Sequence, residues 1–250
     1  MTAARRPVDL KPRHVLGMIA PQPDNPFMYY QFYRVFPPGS LFVQSALNLK
    51  SFSAAGVEEA LASCWPCFDF LRGYNAEQIV WGGVPLSAFA GRPRMLAMLE
   101  EARRRADIPV STDFEDTIEA VRHLGLKRVV VAAKWAPDLM ELTARYLQDA
   151  GIDVVGTYGD PHTVQEVHAL NVDDSVAIAL GLGTRALREA PQADGLLLLG
   201  GAWLVMQAVT ELEAQFGKPV ITNPTALYWA ALRRSGLESV APGMGMLLGS

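Results

Sequence analysis

The sequence predicts an α/β protein of two pseudosymmetric halves, each a four-stranded parallel sheet flanked by helices, with a cleft between them. Three observations carry this reading. The run Gly195-Leu196-Leu197-Leu198-Leu199 is entered from Ala193-Asp194 and left by Gly200-Gly201, which is the pattern of a short strand buried on both faces. Upstream, Gln78-Ile79-Val80-Trp81 is again an apolar run that ends in a glycine pair, Gly82-Gly83. Finally, strand-like and helix-like segments alternate in the same order on both sides of the middle of the chain. Glycines at a strand's carboxyl end let the backbone turn sharply and approach a ligand, because no β-carbon intervenes. In open α/β sheets that edge is where ligands bind.

Taken in order, residues 13–21 read as a first strand with a proline exit, and residues 22–33, rich in proline, tyrosine and phenylalanine, as a pocket-shaping loop. Residues 40–47 read as the second strand and 54–74 as one helix, with Val57, Leu61, Cys64, Phe68 and Leu71 on one face. Strand 78–82, helix 92–106 with Pro93 in its first turn, and strand 108–111 follow. Residues 116–125 link the halves as a helix with Ile118, Val121 and Leu124 inward. The segment 127–137 then repeats the basic start, apolar run and proline exit of 13–21. Helix 137–150 stops at Gly151, followed by strand 152–157, helix 174–190, the leucine strand, helix 205–216, strand 218–222 and a last helix after Asn223-Pro224. The expected division is a first half of residues 13–115, completed by the C-terminal segment 223–250, and a second half of residues 116–222.

Composition narrows the function classes. Half of the 250 residues are hydrophobic and 19% are charged, enough for a substantial core. A net charge of −4 and a pI near 5.6 offer no electrostatic footprint for nucleic acid or an anionic membrane. No apolar run approaches membrane-spanning length. The first twelve residues carry Arg5-Arg6 without the apolar segment of a secretion signal. The expectation is a cytoplasmic protein with a frayed start and a small-molecule substrate, with no nucleic-acid or membrane partner; a homo-oligomer is left open.

The residues that could carry chemistry stand near strand ends. Lys134 follows Val129-Val130-Val131-Ala132-Ala133 and should reach the cleft, where it forms a Schiff base or binds a carboxylate if desolvated, or else sits solvated on the rim. Asp113 is placed to act as a base after the fourth strand. Thr112 and Glu115 fit a capping box. Asn223 either caps the last helix or holds a substrate carbonyl. Asn25 and Tyr29 in the aromatic loop are expected to bind substrate. The C-x-x-C of Cys64 and Cys67 reads as two core thiols beside a kink at Pro66 rather than a redox pair. A single C-x-x-C also lacks a second ligand pair for structural zinc, and no metal site is expected. His162 has no acid partner in sequence and reads as solvated.

Several motifs resemble the aspartate/glutamate racemase superfamily, nearest the branch of arylmalonate decarboxylases and maleate cis-trans isomerases. They are Gly17-Met18-Ile19-Ala20-Pro21, Gly82-Gly83-Val84-Pro85-Leu86-Ser87, Leu124-Gly125-Leu126-Lys127-Arg128-Val129, residues 194–201 and residues 218–229. The resemblance implies two pseudosymmetric α/β halves, an active site between them, and no metal or organic cofactor. In that family racemases and isomerases carry one cysteine at the end of each equivalent strand, and decarboxylases keep only the second. The motif match puts these positions at Gly83 and Gly200, which with Gly201 are expected to border the substrate. Val84 and Pro85 stand where decarboxylases offer hydroxyl groups, and Trp135 stands where they have a tyrosine. Glycine can neither move a proton nor attack an alkene.

The resulting expectation is a cofactor-independent lyase or isomerase acting on a small carboxylate or carbonyl compound, with Lys134, Asp113 or a pocket tyrosine replacing the thiol. The alternatives are a hydrolase or hydratase in the same cleft, or a non-catalytic small-molecule binder. The two glycines are expected to leave open room beside free backbone N–H groups.

Overall fold

The computed structural model describes residues 11–250, so most of the expected frayed start lies outside the described residues. In the first sheet, β1 (His14–Ala20) pairs in parallel with β2 (Ser40–Ala46) and β3 (Gln78–Trp81), and β3 pairs with β4 (Val110–Thr112). In the second, β5 (Arg128–Ala133) pairs with β6 (Asp153–Gly159) and β7 (Gly195–Leu199), and β7 with β8 (Val220–Ile221). The strand orders, β2-β1-β3-β4 and β6-β5-β7-β8, are one permutation used twice. Each sheet therefore reverses its direction of growth beside its first strand, and the carboxyl ends flanking that reversal form a crevice suited to ligands.

Burial on both faces explains the apolar strands. Val129, Val131, Ala133, Leu197 and Leu199 point into a core continuous with the first sheet. Their neighbours Val130, Ala132, Leu196 and Leu198 point into a second core on the outer face. The period of two is hidden in the sequence because both faces need apolar residues.

Eleven helices occur among the described residues, and the sequence misses or misplaces several. The expected aromatic loop is mostly α1 (Pro26–Val35), with proline in its first turn and Asn25 as N-cap accepting from the Met28 N–H at 3.3 Å. The expected single helix over 54–74 is two, α2 (Ala54–Ala62) and α3 (Cys64–Gly73), broken at Ser63. In a continuous helix the Pro66 ring would collide with the Ala62 carbonyl, so the chain starts a new helix instead of bending one. The Gly83-Val84-Pro85 exit opens a short α4 (Val84–Ala90) that sequence reading left out, ahead of α5 (Arg92–Arg105). The expected linking helix begins three residues earlier, as α6 (Asp113–His123). The second half adds α7 (Pro137–Asp149), an unforeseen α8 (Val164–Ala169), α9 (Val172–Glu189), α10 (Met206–Phe216) and α11 (Asn223–Ser235).

Helices α6 and α11 follow the equivalent strands β4 and β8 and pack on each other. Arg234 on α11 ties them by pairing with buried Asp116 and with Glu119 at 3.1 Å, while it donates to Ser111 at 2.9 Å. This contact fixes the starts of both helices, and hence the strand ends that precede them. No helix among the described residues is long and apolar enough to cross a membrane.

Candidate active site

The carboxyl ends of β1, β3 and β4 meet those of β5, β7 and β8 around one cavity of about 320 Å3. Of the residues expected there, Asn25, Gly83, Val84, Asp113, Lys134, Trp135, Gly200, Gly201 and Asn223 all line it. Tyr29 does not. As part of α1 it turns toward the first sheet, its ring edge-on to Phe42 at 5.2 Å, while its neighbour Met28 faces the cavity. Asn25 caps α1 and also donates through Nδ2 to the Gly201 carbonyl at 3.3 Å, tying the first half to the β7 exit.

Asp113 and Asn223 occupy equivalent positions. Each follows a threonine N-cap, Thr112 or Thr222, and is the first residue of its helix. Helix capping therefore does not use Asn223, whose amide turns to partners at the cavity. Asp113 Oδ2 accepts from the Gly83 N–H at 2.8 Å and from Asn223 Nδ2 at 3.2 Å, while its Oδ1 is buried without a partner. Burial pushes this carboxyl up to about 7, against the pull of those two donors. Asn223 Oδ1 accepts from the Gly200 N–H at 2.8 Å. The N–H groups of Gly83 and Gly200, expected to be free for a substrate oxygen, are thus already engaged by side chains.

The space above the glycines is also filled. Gly83 has φ +103°, and a Cβ there would lie 2.4 Å from Pro21 Cγ. Gly200 has φ +128°, and a Cβ would lie 2.5 Å from Trp203 Nε1. Both positions require glycine for conformation and for space.

Lys134 is the cation of the site. It extends from the end of β5, is only 4% exposed, and its Nζ has no hydrogen-bond partner. The ammonium stands 4.2 Å over the Trp203 ring, a cation–π contact that offsets part of the lost hydration. Burial pulls it down to about 8, against the attraction of Asp160.

Two ionisable lining residues were not read as site residues. His162 follows β6 and borders the cavity. Its Nδ1 lies 2.9 Å from the Asp160 carbonyl, which can only accept, so Nδ1 carries a hydrogen, and the Asp160 carboxylate stands 3.8 Å from the same nitrogen. Asp138, at the start of α7, lines the same wall. Nothing in the local sequence marks either one, because the folding of the β5 and β6 exits brings them there. Glu115 is outside the cavity lining. Its backbone N–H is capped by Thr112 at 2.9 Å, but its carboxylate forms a bidentate pair with Arg92 at 2.9 and 3.0 Å instead of closing the capping box.

The two cysteines lie on α3, away from the cavity lining. Cys64 heads that helix instead of sitting two turns into it, yet burial pushes its thiol up to about 11, opposite to what a reactive thiol needs. Among the described residues no cluster of three or more His, Cys, Asp or Glu could hold a metal ion.

A family profile for arylmalonate decarboxylase matches residues 16–248. The chain belongs to the arylmalonate decarboxylase family. Its relatives include arylmalonate decarboxylase of Bordetella bronchiseptica, 29% identical over 93% of this chain and 95% of that protein. A maleate isomerase of Pseudomonas putida is 32% identical over 56% of this chain and 54% of its own length. Among solved structures, a double variant of arylmalonate decarboxylase in its liganded form superposes with TM-score 0.84 at 26% identity, covering 94% of this chain and 98% of the other. The maleate isomerase Iso of Pseudomonas putida S16 shares the fold, with TM-score 0.79 at 22% identity and coverages of 94% and 98%. The two-sheet architecture is that of the arylmalonate decarboxylase family.

Proposed function

We propose that this member is a lyase or isomerase that acts on a small carboxylate or carbonyl compound without a cysteine. The observation that carries the reading is Lys134, a buried amine with no hydrogen-bond partner, lining a largely apolar cavity. An unpaired buried charge is costly, and a substrate oxygen bearing negative charge removes that cost. The arylmalonate decarboxylase and maleate isomerase to which the chain is similar are named for small dicarboxylates, which suits such a cavity. Both cysteines of the sequence lie on α3, and the resemblance puts the family's thiols at Gly83 and Gly200, where an added Cβ would meet Pro21 and Trp203.

The chemistry follows from the lining. Met28, Phe52, Phe89 and Leu139 strip water from a bound carboxylate, which favours loss of CO2 or of an α-proton. Lys134 stabilises the charge that develops on the substrate oxygen. Asp113, held near 7, gives or takes the proton at carbon. A second reading, addition of water in the same cleft, is favoured by one observation only: the His162 imidazole at the cavity wall, its Nδ1 bonded to the Asp160 carbonyl.

The test is turnover of phenylmalonate, maleate and simple oxo acids by the unaltered protein and by Cys64→Ser/Cys67→Ser. Equal turnover per folded molecule supports the reading. Loss of turnover in the folded double variant, or rapid stoichiometric inactivation by a thiol reagent, would overturn it.

A further inference from the structure

A carbanion made in this cavity needs somewhere to place its electron pair. The backbone donors that would hold an enediolate oxygen at the two strand exits are occupied: the Gly83 N–H by Asp113 and the Gly200 N–H by Asn223. What remains at the site is an amine. Lys134 Nζ is buried, makes no hydrogen bond, and is held over the flat face of Trp203. We propose that Lys134 is the electron sink in covalent form, capturing the ketone of a 3-oxo carboxylic acid as an imine. The inference rests on the reading that Lys134 meets the substrate, and it narrows the substrate class.

The steps balance with water and protons from solvent. The neutral amine of Lys134 adds to the C3 carbonyl carbon, and with one proton taken from solvent the carbonyl oxygen leaves as water, giving a protonated imine; that proton is released again when the iminium is hydrolysed. The C2–carboxylate bond then breaks. Its electron pair forms a C2–C3 double bond as the C–N π pair moves onto nitrogen, and CO2 departs. Protonated Asp113 delivers its proton to C2 and the iminium reforms. Water hydrolyses it, releasing a ketone and free Lys134. Only a carboxylate one carbon removed from the imine carbon can lose CO2 this way, which is why a 3-oxo acid is named and a 2-oxo acid is not.

The surroundings suit each step. Desolvation lowers the amine to about 8, so a usable fraction is neutral and nucleophilic near neutral pH. Asp113 has one oxygen without a partner and a carboxyl held near 7, so it exists in both protonation states at working pH. The apolar wall favours expulsion of CO2 over retention of a carboxylate.

The test is trapping with sodium borohydride. The protein is incubated with 3-oxobutanoate and borohydride, digested, and analysed by mass spectrometry, with Lys134→Arg and Lys134→Met in parallel. The expected result is a reduced adduct on Lys134 alone, absent from both variants, and loss of decarboxylation in both. Arginine keeps the charge but forms no imine under these conditions. If the arginine variant keeps turnover, or no adduct forms while wild type turns the acid over, the imine is overturned and a purely electrostatic Lys134 survives. If the methionine variant also keeps full turnover, the broader reading of Lys134 falls with it.

Discussion

Asn223 bridges the two halves at the heart of the cavity: its Nδ2 donates to Asp113 Oδ2 at 3.2 Å, and its Oδ1 accepts from the Gly200 N–H at 2.8 Å. The two side chains are pseudosymmetric counterparts, and each answers the glycine N–H of its own sheet. One asymmetry separates them, since Asp113 can ionise and Asn223 cannot. A proton is therefore available from one of the two equivalent positions.

Asn223→Leu removes both bonds and leaves the Gly200 N–H facing an apolar group. An unsatisfied buried donor costs about 1–3 kcal/mol, so a clear fall in the denaturation midpoint is expected, together with reduced turnover per folded molecule. A stable variant with unchanged kinetics would show that the bridge is incidental.

The raised carboxyl of Asp113 has a signed effect on stability. Its folded value of about 7 lies above the usual carboxylate range, so the folded protein holds a proton that the unfolded chain releases. The stabilisation is full below about pH 4 and is lost as pH rises through 7, by up to about 1.4 kcal/mol per pH unit in that window. Asp113→Asn can keep both accepted hydrogen bonds and has no such dependence. Urea midpoints of the two proteins, measured from pH 4 to pH 8, should show the variant gaining on wild type as pH rises. A gap that does not change with pH would mean that Asp113 titrates normally.

Gly200→Ala tests the β7 exit. With φ +128° and Trp203 Nε1 2.5 Å from the new methyl, substitution adds backbone strain of about 1–2 kcal/mol to a collision. Destabilisation is expected, partly relieved by Trp203→Ala, which removes the collision and leaves the strain. Normal stability of Gly200→Ala alone would require the turn to be more plastic than its geometry indicates.

Much of this was legible from the chain itself. The leucine strand and the repeated glycine pairs led to two equivalent sheets and to a cleft at their exits, because parallel strands buried on both faces leave unbroken apolar runs. Lys134, Asp113 and Asn223 were legible because they follow strands directly. Local signals failed where tertiary packing decides. Tyr29 was assigned to the pocket because residues 22–33 look like a loop, but the α1 turn sends Met28 inward and Tyr29 to Phe42. Glu115 looks like half of a capping box, yet Arg92, distant in sequence, takes its carboxylate. His162 reads as solvated in sequence because only the fold brings its loop to the cavity. The glycine exits looked like vacancies, and only the coordinates of Pro21 and Trp203 show them filled.

The central claim is that substrate meets Lys134, and the most direct measurement is kcat/KM of Lys134→Met against wild type, on whichever of phenylmalonate, maleate and 3-oxobutanoate the wild type converts. Methionine is unbranched, apolar and one atom shorter than lysine, and it removes a buried charge that has no hydrogen-bond partner, so thermal stability should hold or rise. The expected result is a folded protein whose kcat/KM has fallen about 100-fold or more, a loss near 2.7 kcal/mol of transition-state stabilisation. A folded Lys134→Met protein with wild-type kcat/KM would contradict the claim.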